Sequence, residues 1–286
     1  MYNANVPEKT LRRIRRILTK TRKMMQLPYS GIRKIAFLVP VLAAGATLTG
    51  CGMNKNSQFV SEGREENGLV IILPGIEGES GLNHNIRRGL VAAGCYRSIP
   101  IWNWGAPFPG LGMVINQTPI GKKAVGKRIA EDIEKYQDSH PGRPVHVIGH
   151  SGGGGIAVFV AEGMSPGRKI DGLVLLAASI SNDYSLGKAL SHCRQGILNF
   201  HNKDDIGLLG VGTALMGNVD GGRSPSAGLT GFKSSLPRLY QIRVSRDMAG
   251  FNGAHEAPTR PKFVSRYVAP WVLTSEWPLD RSLAGM

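Results

Sequence analysis

The stretch that decides the fold is "VHVIGHSGGGG", from Val145 to Gly155. It begins as a run of apolar, mostly β-branched residues, which is typical of a buried strand, and ends in a polar turn followed by four glycines. Glycine directly after a buried strand indicates backbone angles or a close approach that a Cβ atom would block. The small residues that continue to about position 163 suit a closely packed helix. We therefore expect a strand, a sharp turn at Ser151 and a helix.

Short apolar runs alternate with helical stretches along the rest of the chain. Strands are predicted at 69–73, 98–104, 144–148, 172–176, 196–200 and 239–244, and helices at 84–93, 122–138, 153–163, 185–193 and 260–273. Continuous apolar strands separated by helices are typical of a parallel sheet that is covered on both faces. The sequence therefore predicts an α/β fold with a mostly parallel, doubly wound sheet and helices on both faces.

Length and charge limit the class of protein. The chain has 286 residues, of which 42% are hydrophobic, and this predicts one globular domain. Its formal charge is +15, but residues 1–50 carry ten lysines and arginines against a single acid, Glu8. The remaining residues have an ordinary, mildly basic balance and no basic stripe interleaved with aromatic residues, so a nucleic-acid partner is not expected.

The N-terminal region has the layout of a secretion signal. An uncharged stretch, "IAFLVPVLAAGATLTGCGMN" at 35–54, follows the basic pair Arg33 and Lys34. Its end, Leu48-Thr49-Gly50-Cys51, resembles the lipobox of bacterial lipoproteins, which implies that Cys51 is lipidated and becomes the first mature residue. The alternative is an uncleaved transmembrane anchor, although its proline and glycines make a poor helix. Residues 1–50 are read as a targeting segment and lipoprotein signal peptide, and the expected location is the bacterial envelope, lipid-anchored to a membrane and facing the periplasm or the exterior.

Three further features concern the mature chain. Residues 51–67 are polar and glycine-containing and are read as a tether, so that the folded domain spans 68–286. A glycine-rich segment at 206–236 is either a functional loop or a surface connection. Cys95 and Cys193 either pair or remain as two buried thiols.

The turn at Ser151 matches a catalytic motif. Gly149-His150-Ser151-Gly152-Gly153 fits G-x-S-x-G, and the motif sits between a buried strand and a helix, where a nucleophile elbow belongs. With this context, residues 69–273 resemble an α/β-hydrolase of the lipase or esterase type. The resemblance implies Ser151 as the nucleophile and Gly149, His150 and Gly153 as the other elbow residues.

The same resemblance implies an acid and a histidine further along the chain, in that order. The acid follows the strand at 196–200, where Asp205 matches the family position better than Asp204, which the alternative interpretation makes a helix or turn cap. The histidine follows the last strand, and His255 lies there, before the final helix.

An oxyanion hole and a substrate pocket complete the expected site. The first donor is the backbone amide of Gly152, and the second is that of Ile76, because Pro74-Gly75-Ile76 resembles the His-Gly-X turn of the family with proline in place of histidine. A possible substrate pocket contains Trp102, Trp104 and Phe108; the alternative is that the tryptophans cap the core.

The predicted function is a lipid-anchored serine hydrolase that cleaves carboxylic esters or related acyl bonds through a Ser-His-Asp triad. Its partners would be an ester or acyl substrate, either a small molecule or a lipid, and the membrane that holds the anchor. No cofactor and no metal are expected. One alternative is a non-catalytic envelope binding module on the same fold, and another is a phospholipase or peptidase that uses the same triad.

Overall fold

The computed structural model describes residues 58–105, 118–204, 218–249 and 255–278. All described residues belong to one compact unit, Thr49–Met286. The predicted targeting segment, the lipobox cysteine Cys51, and the site candidates Phe108 and Asp205 lie outside the described residues. Within the described ranges, no helix combines the length and the apolar character needed to cross a membrane.

Helices alternate with strands along the described chain. In chain order the elements are α1 (Glu62–Glu65), β1 (Leu69–Leu73), α2 (Gly81–Ala92), α3 (Pro119–Ser139), β2 (Val145–His150), α4 (Gly152–Gly163), β3 (Ile170–Leu176), α5 (Gly187–Ser191), β4 (Cys193–His201), α6 (Ala227–Thr230), β5 (Leu239–Arg243) and α7 (Arg246–Ala249). A last helical stretch consists of a 3₁₀ turn (Ala257–Thr259), α8 (Pro261–Phe263), a π-helical turn (Val264–Val268) and α9 (Ala269–Leu273).

The five strands form one parallel sheet in the order β1-β2-β3-β4-β5. Side chains alternate between its two faces. Leu69, Ile71 and Leu73 of β1 point into a core layer that contains residues of α3 and α4, and Val70 and Ile72 point into a second layer that contains residues of α2 and the last helical stretch. Both faces of the sheet are therefore covered, as the uninterrupted apolar strands predicted.

The predicted strand at 98–104 is reduced to two bridges on the outer side of β1. Ser98 pairs with Leu69 and Ile101 with Ile72, both in parallel. Between them stands Pro100, which has no backbone N–H and offers the ladder only its carbonyl oxygen, an acceptor for Ile72 N at 3.0 Å. The segment follows a strand path along the sheet edge, but proline prevents a continuous ladder.

The domain begins earlier than the predicted boundary at residue 68. Within the predicted tether, 51–67, helix α1 is followed by a turn, and Arg64 is buried, with its guanidinium donating to the carbonyl oxygen of Arg97 at 3.0 Å. The carbonyl oxygen of Phe59 accepts a hydrogen bond from Ile99 N at 2.9 Å. The described part of this segment is therefore folded onto the domain, a result of tertiary contacts that its polar composition does not reveal.

The described part of the glycine-rich segment is also packed into the domain. Val219 and Ala227 are buried in the same core layer as α4, and their amides donate to the carbonyl oxygens of Ser179 and Ile180 at 3.0 and 2.7 Å. Part of residues 218–236 is thus buried in the core. They cover the chain that leaves β3, just beyond the carboxyl ends of the central strands.

The two cysteines are buried and unpaired. Cys95 belongs to the core layer of α2, and Cys193 belongs to the layer of α3 and α4 on the opposite face of the sheet. Cys95 and Cys193 are therefore two separate buried thiols and do not form a disulfide. Burial raises the pKa of the Cys193 thiol to about 12, so this side chain stays protonated and unreactive at neutral pH.

Candidate active site

Ser151 occupies the junction between β2 and α4. Its backbone has φ 52° and ψ −121°, a left-handed conformation that a residue with a Cβ atom rarely adopts. Three hydrogen bonds hold the turn: Ser151 N donates to Leu176 O at 3.0 Å, and Ser151 O accepts from Gly154 N at 3.0 Å and from Ser179 N at 2.9 Å. The serine is thus presented at the carboxyl edge of the sheet by a strained backbone that neighbouring segments support.

The glycines around Ser151 are required by close packing. A Cβ atom on Gly149 would lie under 3.0 Å from the backbone of Gly153, and one on Gly153 would lie equally close to the carbonyl oxygen of Leu73. On Gly154 it would lie 2.5 Å from the Cβ atom of Ala178. The first turn of α4 therefore passes directly over β1 and the chain after β3, and only glycine allows this approach.

Replacing Gly153 by alanine is expected to lower the free energy of unfolding by at least about 3 kcal/mol, because the new Cβ atom meets backbone that cannot move aside. Gly187, at the start of α5, is the matched control, since a Cβ atom there meets nothing within 4 Å. Urea unfolding of the two alanine variants measures the difference. Equal stabilities would contradict this account of the elbow.

Two backbone amides lie together beside Ser151. A Cβ atom placed on Gly152 would be 3.5 Å from Ile76 N, so the two residues are in contact across the site. Ile76 is 73% exposed, and neither amide donates a hydrogen bond within the part of the chain that the structure describes. The loop that carries Ile76 is a turn closed by Gly78 N and Gly75 O at 3.1 Å. The residues of the two predicted oxyanion donors are therefore neighbours, and neither amide has an acceptor within the described residues.

The two tryptophans of the predicted pocket are buried in the core layer of α3 and α4. Trp104 also contacts the site: its indole N–H donates to Pro74 O at 2.6 Å, and its ring lies 3.3 Å from the Cβ position of Gly152. Trp102 is a buried member of that core layer. Trp104 supports the start of the loop that holds Ile76.

His255 follows β5 and lies beside the elbow. Its ring is nearly buried and packs against the ring of His150, with the centroids 5.0 Å apart. It precedes a tight turn in which the amide and the hydroxyl of Thr259 both donate to Glu256 O, at 2.9 and 2.7 Å. Because His150 directly precedes Ser151, the fold brings the histidine after the last strand to the neighbourhood of the serine.

Asp204 is described, whereas its neighbour Asp205 is not. The amide of Asp204 donates to the side-chain oxygen of Asn202 at 3.0 Å, which makes a local turn after β4. The carboxylate of Asp204 is about half exposed and lies 3.9 Å from the Arg246 guanidinium on the surface. The turn after β4 is therefore capped by Asn202, and the Asp204 carboxylate faces an exposed arginine.

Two buried histidines are kept neutral. His146 of β2 accepts a hydrogen bond from Arg97, and burial together with this guanidinium lowers the pKa of His146 to about 3. Burial, and then the adjacent His255, lower the pKa of His150 to about 3. Both rings are uncharged at neutral pH.

The neutral histidines predict acid sensitivity. Each has a folded-state pKa below its unfolded value of 6.5, so below pH 6.5 the unfolded chain binds more protons and stability falls as the pH is lowered towards 3. Between pH 7 and pH 5 each imidazole is expected to remove about 2 kcal/mol from the free energy of unfolding. Urea unfolding at both pH values measures this. His146→Gln is the control, and an undiminished pH dependence in that variant would contradict the assignment for His146.

The sequence did not single out Glu77, which the structure brings to the site. Glu77 directly follows Ile76 in the chain, and its carboxylate lies 4.0 Å from His150 Nδ1. No motif marks this position, so only the three-dimensional contact identifies it.

In the described ranges no cluster of three or more His, Cys, Asp or Glu side chains has the arrangement of a metal site.

The sequence was compared with models of known protein families. A family model described as the alpha/beta hydrolase fold matches residues 68–209. Together with the parallel sheet and the strand–turn–helix at Ser151, this confirms the predicted fold class: the chain has the α/β-hydrolase fold. No curated protein gives a significant match to the sequence.

Several solved structures are similar to this chain. Lipase B from Aspergillus fumigatus has 12% sequence identity and a TM-score of 0.49, over 78% of this chain and 56% of the lipase. The chain thus spans little more than half the length of that protein. Dienelactone hydrolase from Anabaena variabilis has 15% identity and a TM-score of 0.45, over 74% of this chain and 87% of that one. A lipase-esterase related protein from Clostridium acetobutylicum has 11% identity and a TM-score of 0.45, over 74% and 97%.

Proposed function

We propose that this chain is a serine hydrolase that cleaves carboxylic esters or related acyl bonds, with Ser151 as the nucleophile. The observation that carries the proposal is the conformation of Ser151: a positive φ at the end of a buried strand, held against a helix that begins in four glycines. Strain at a single non-glycine residue persists only where the surroundings enforce it, and it concentrates at functional sites.

The proposed chemistry assigns each residue one task. A serine hydroxyl is a weak nucleophile, so His255 takes the proton of Ser151 as the serine oxygen attacks the acyl carbon. Asp205 orients the imidazole of His255 and stabilises the imidazolium that forms. When the leaving group departs, His255 returns the proton to it; water then attacks the acyl-enzyme by the same route and releases the acid.

The two adjacent amides of Ile76 and Gly152 support this proposal. During attack the acyl oxygen becomes negatively charged, and two fixed N–H donors stabilise that charge without any rearrangement. Their contact across the site and the absence of an acceptor for either in the described residues suit this task.

The location is proposed from the sequence. Cys51 in its lipobox-like context would carry the lipid, and the mature protein would be held at a membrane of the bacterial envelope. Mass spectrometry of the N-terminal peptide of the protein expressed in a bacterium tests this step. A diacylglyceryl-modified Cys51 supports it, and an unprocessed N-terminus contradicts it.

A fluorophosphonate probe and a series of p-nitrophenyl esters from short to long acyl chains test the activity of the full chain. Modification mapped to Ser151, together with ester turnover, supports the proposal, and the chain-length profile reports the size of the pocket. Modification of Ser151 without turnover of any ester would direct the search to amides or larger acyl substrates. Folded protein that takes no probe would contradict the proposal in favour of a non-catalytic binding module.

A further inference from the structure

His150 lies between the elbow, the His255 turn and the loop of Ile76. It is fully buried, and its Nε2 is 3.3 Å from the carbonyl oxygen of His255. Its other nitrogen, Nδ1, is 4.0 Å from the Glu77 carboxylate. One side chain thus touches the segments that carry the proposed base and the second proposed oxyanion donor, and it is covalently joined to Ser151.

The contacts fix the tautomer of His150. A carbonyl oxygen only accepts, so the hydrogen bond to His255 O requires the proton on Nε2. Because burial keeps the ring neutral at pH 7, Nδ1 then carries a lone pair, and within the described ranges it accepts no hydrogen bond. The N–H of His150 is therefore committed to the His255 backbone and is not free to take part in proton transfer at Ser151.

This arrangement limits the movement of His255. The His150 donor holds the peptide group that bears the His255 side chain, and the two rings pack at 5.0 Å with an angle of 49° between their planes. A reacting group displaced by about 1 Å can cost on the order of 100-fold in rate. Fixing the His255 backbone relative to residue 150 fixes it relative to residue 151 as well.

We propose that His150 is a positioning residue, which holds the His255 turn in register with Ser151 through the hydrogen bond from its Nε2–H to His255 O. The proposal rests on the proposed serine hydrolase function. It gives the variable residue of the elbow a task beyond filling space, since an apolar residue of the same volume cannot supply the donor.

Three variants separate positioning from packing. His150→Gln retains an N–H donor at about the place of Nε2. His150→Asn is equally polar, but its amide ends closer to the backbone, and His150→Leu fills the volume without any donor. If the leucine variant fails to fold, the glutamine and asparagine variants still make the comparison between two amides.

Labelling and kinetics are measured on the full-length protein. The final extent of fluorophosphonate labelling counts folded sites, and kcat and KM for a p-nitrophenyl ester are expressed per labelled site. The leucine and asparagine variants are expected to lose about 10- to 100-fold in kcat and in the rate of labelling, with KM within about threefold. The glutamine variant is expected to stay within about threefold of the wild type. A purely structural role would lower the labelled fraction but not the kcat per site.

If His150→Leu or His150→Asn keeps the wild-type kcat per labelled site, or if the glutamine and asparagine variants are equally impaired, the positioning proposal is overturned. If the wild-type protein itself takes no probe and turns over no ester, it is the proposed serine hydrolase function that fails. The two failures are therefore distinguishable.

Discussion

Ser151→Ala is expected to lower kcat for a p-nitrophenyl ester by about 10⁶-fold and to abolish fluorophosphonate labelling, because no other residue replaces a lost nucleophile. Stability is expected to change little. Alanine has a Cβ atom like serine, so it meets the same strain at φ 52°, and the three hydrogen bonds of the turn are made by the backbone.

The matched control is Ser191→Ala. Ser191 lies at the end of α5, and its exposed hydroxyl only donates to the backbone of Lys188. Steady-state kinetics and thermal unfolding of both variants decide the matter. Ester turnover that persists in Ser151→Ala at more than about one hundredth of the wild-type rate would remove this serine from the mechanism.

Asp205→Asn is expected to lower kcat about 10⁴-fold, whereas Asp204→Asn is expected to stay within about threefold of the wild type. Without its carboxylate, position 205 can no longer select the productive tautomer of His255 or stabilise the imidazolium. The Asp204 carboxylate is committed to the surface beside Arg246, and an exposed pair of this kind contributes less than about 1 kcal/mol.

These adjacent residues form a controlled pair, since both substitutions replace one carboxylate oxygen by an amide nitrogen in the same segment. The measurement is kcat at pH 7 for each variant, normalised by the amount of Ser151 that the fluorophosphonate titrates. A larger loss in Asp204→Asn would reverse the assignment of the acid.

The central part of the fold follows from local sequence. Local patterns predict the strand–turn–helix around Ser151. An apolar run predicts strand β2, a serine flanked by glycines predicts the turn, and a row of small residues predicts helix α4. Such features depend on a few neighbouring residues, which is why a single sequence reveals them.

Features that depend on distant contacts were not predictable. Arg64 reads as a tether residue, yet backbone oxygens more than thirty positions away bury it. The contacts of His150 with His255 and Glu77 join three segments. In each case the partner is far along the chain, and no local pattern encodes it.

The early start of the folded domain has a consequence for the edge of the sheet. An open edge strand with free backbone donors can pair with another molecule and seed aggregation. Here the carbonyl oxygen of Phe59 accepts the hydrogen bond of Ile99 N, on the side of this segment that faces away from β1. Cleavage before Cys51 would leave Phe59 and helix α1 attached, so the mature protein would keep the cover of its own sheet edge. A chain that starts at residue 68 would lack that cover. Ile99 N would then be a free backbone donor at the sheet edge, with which another molecule could pair.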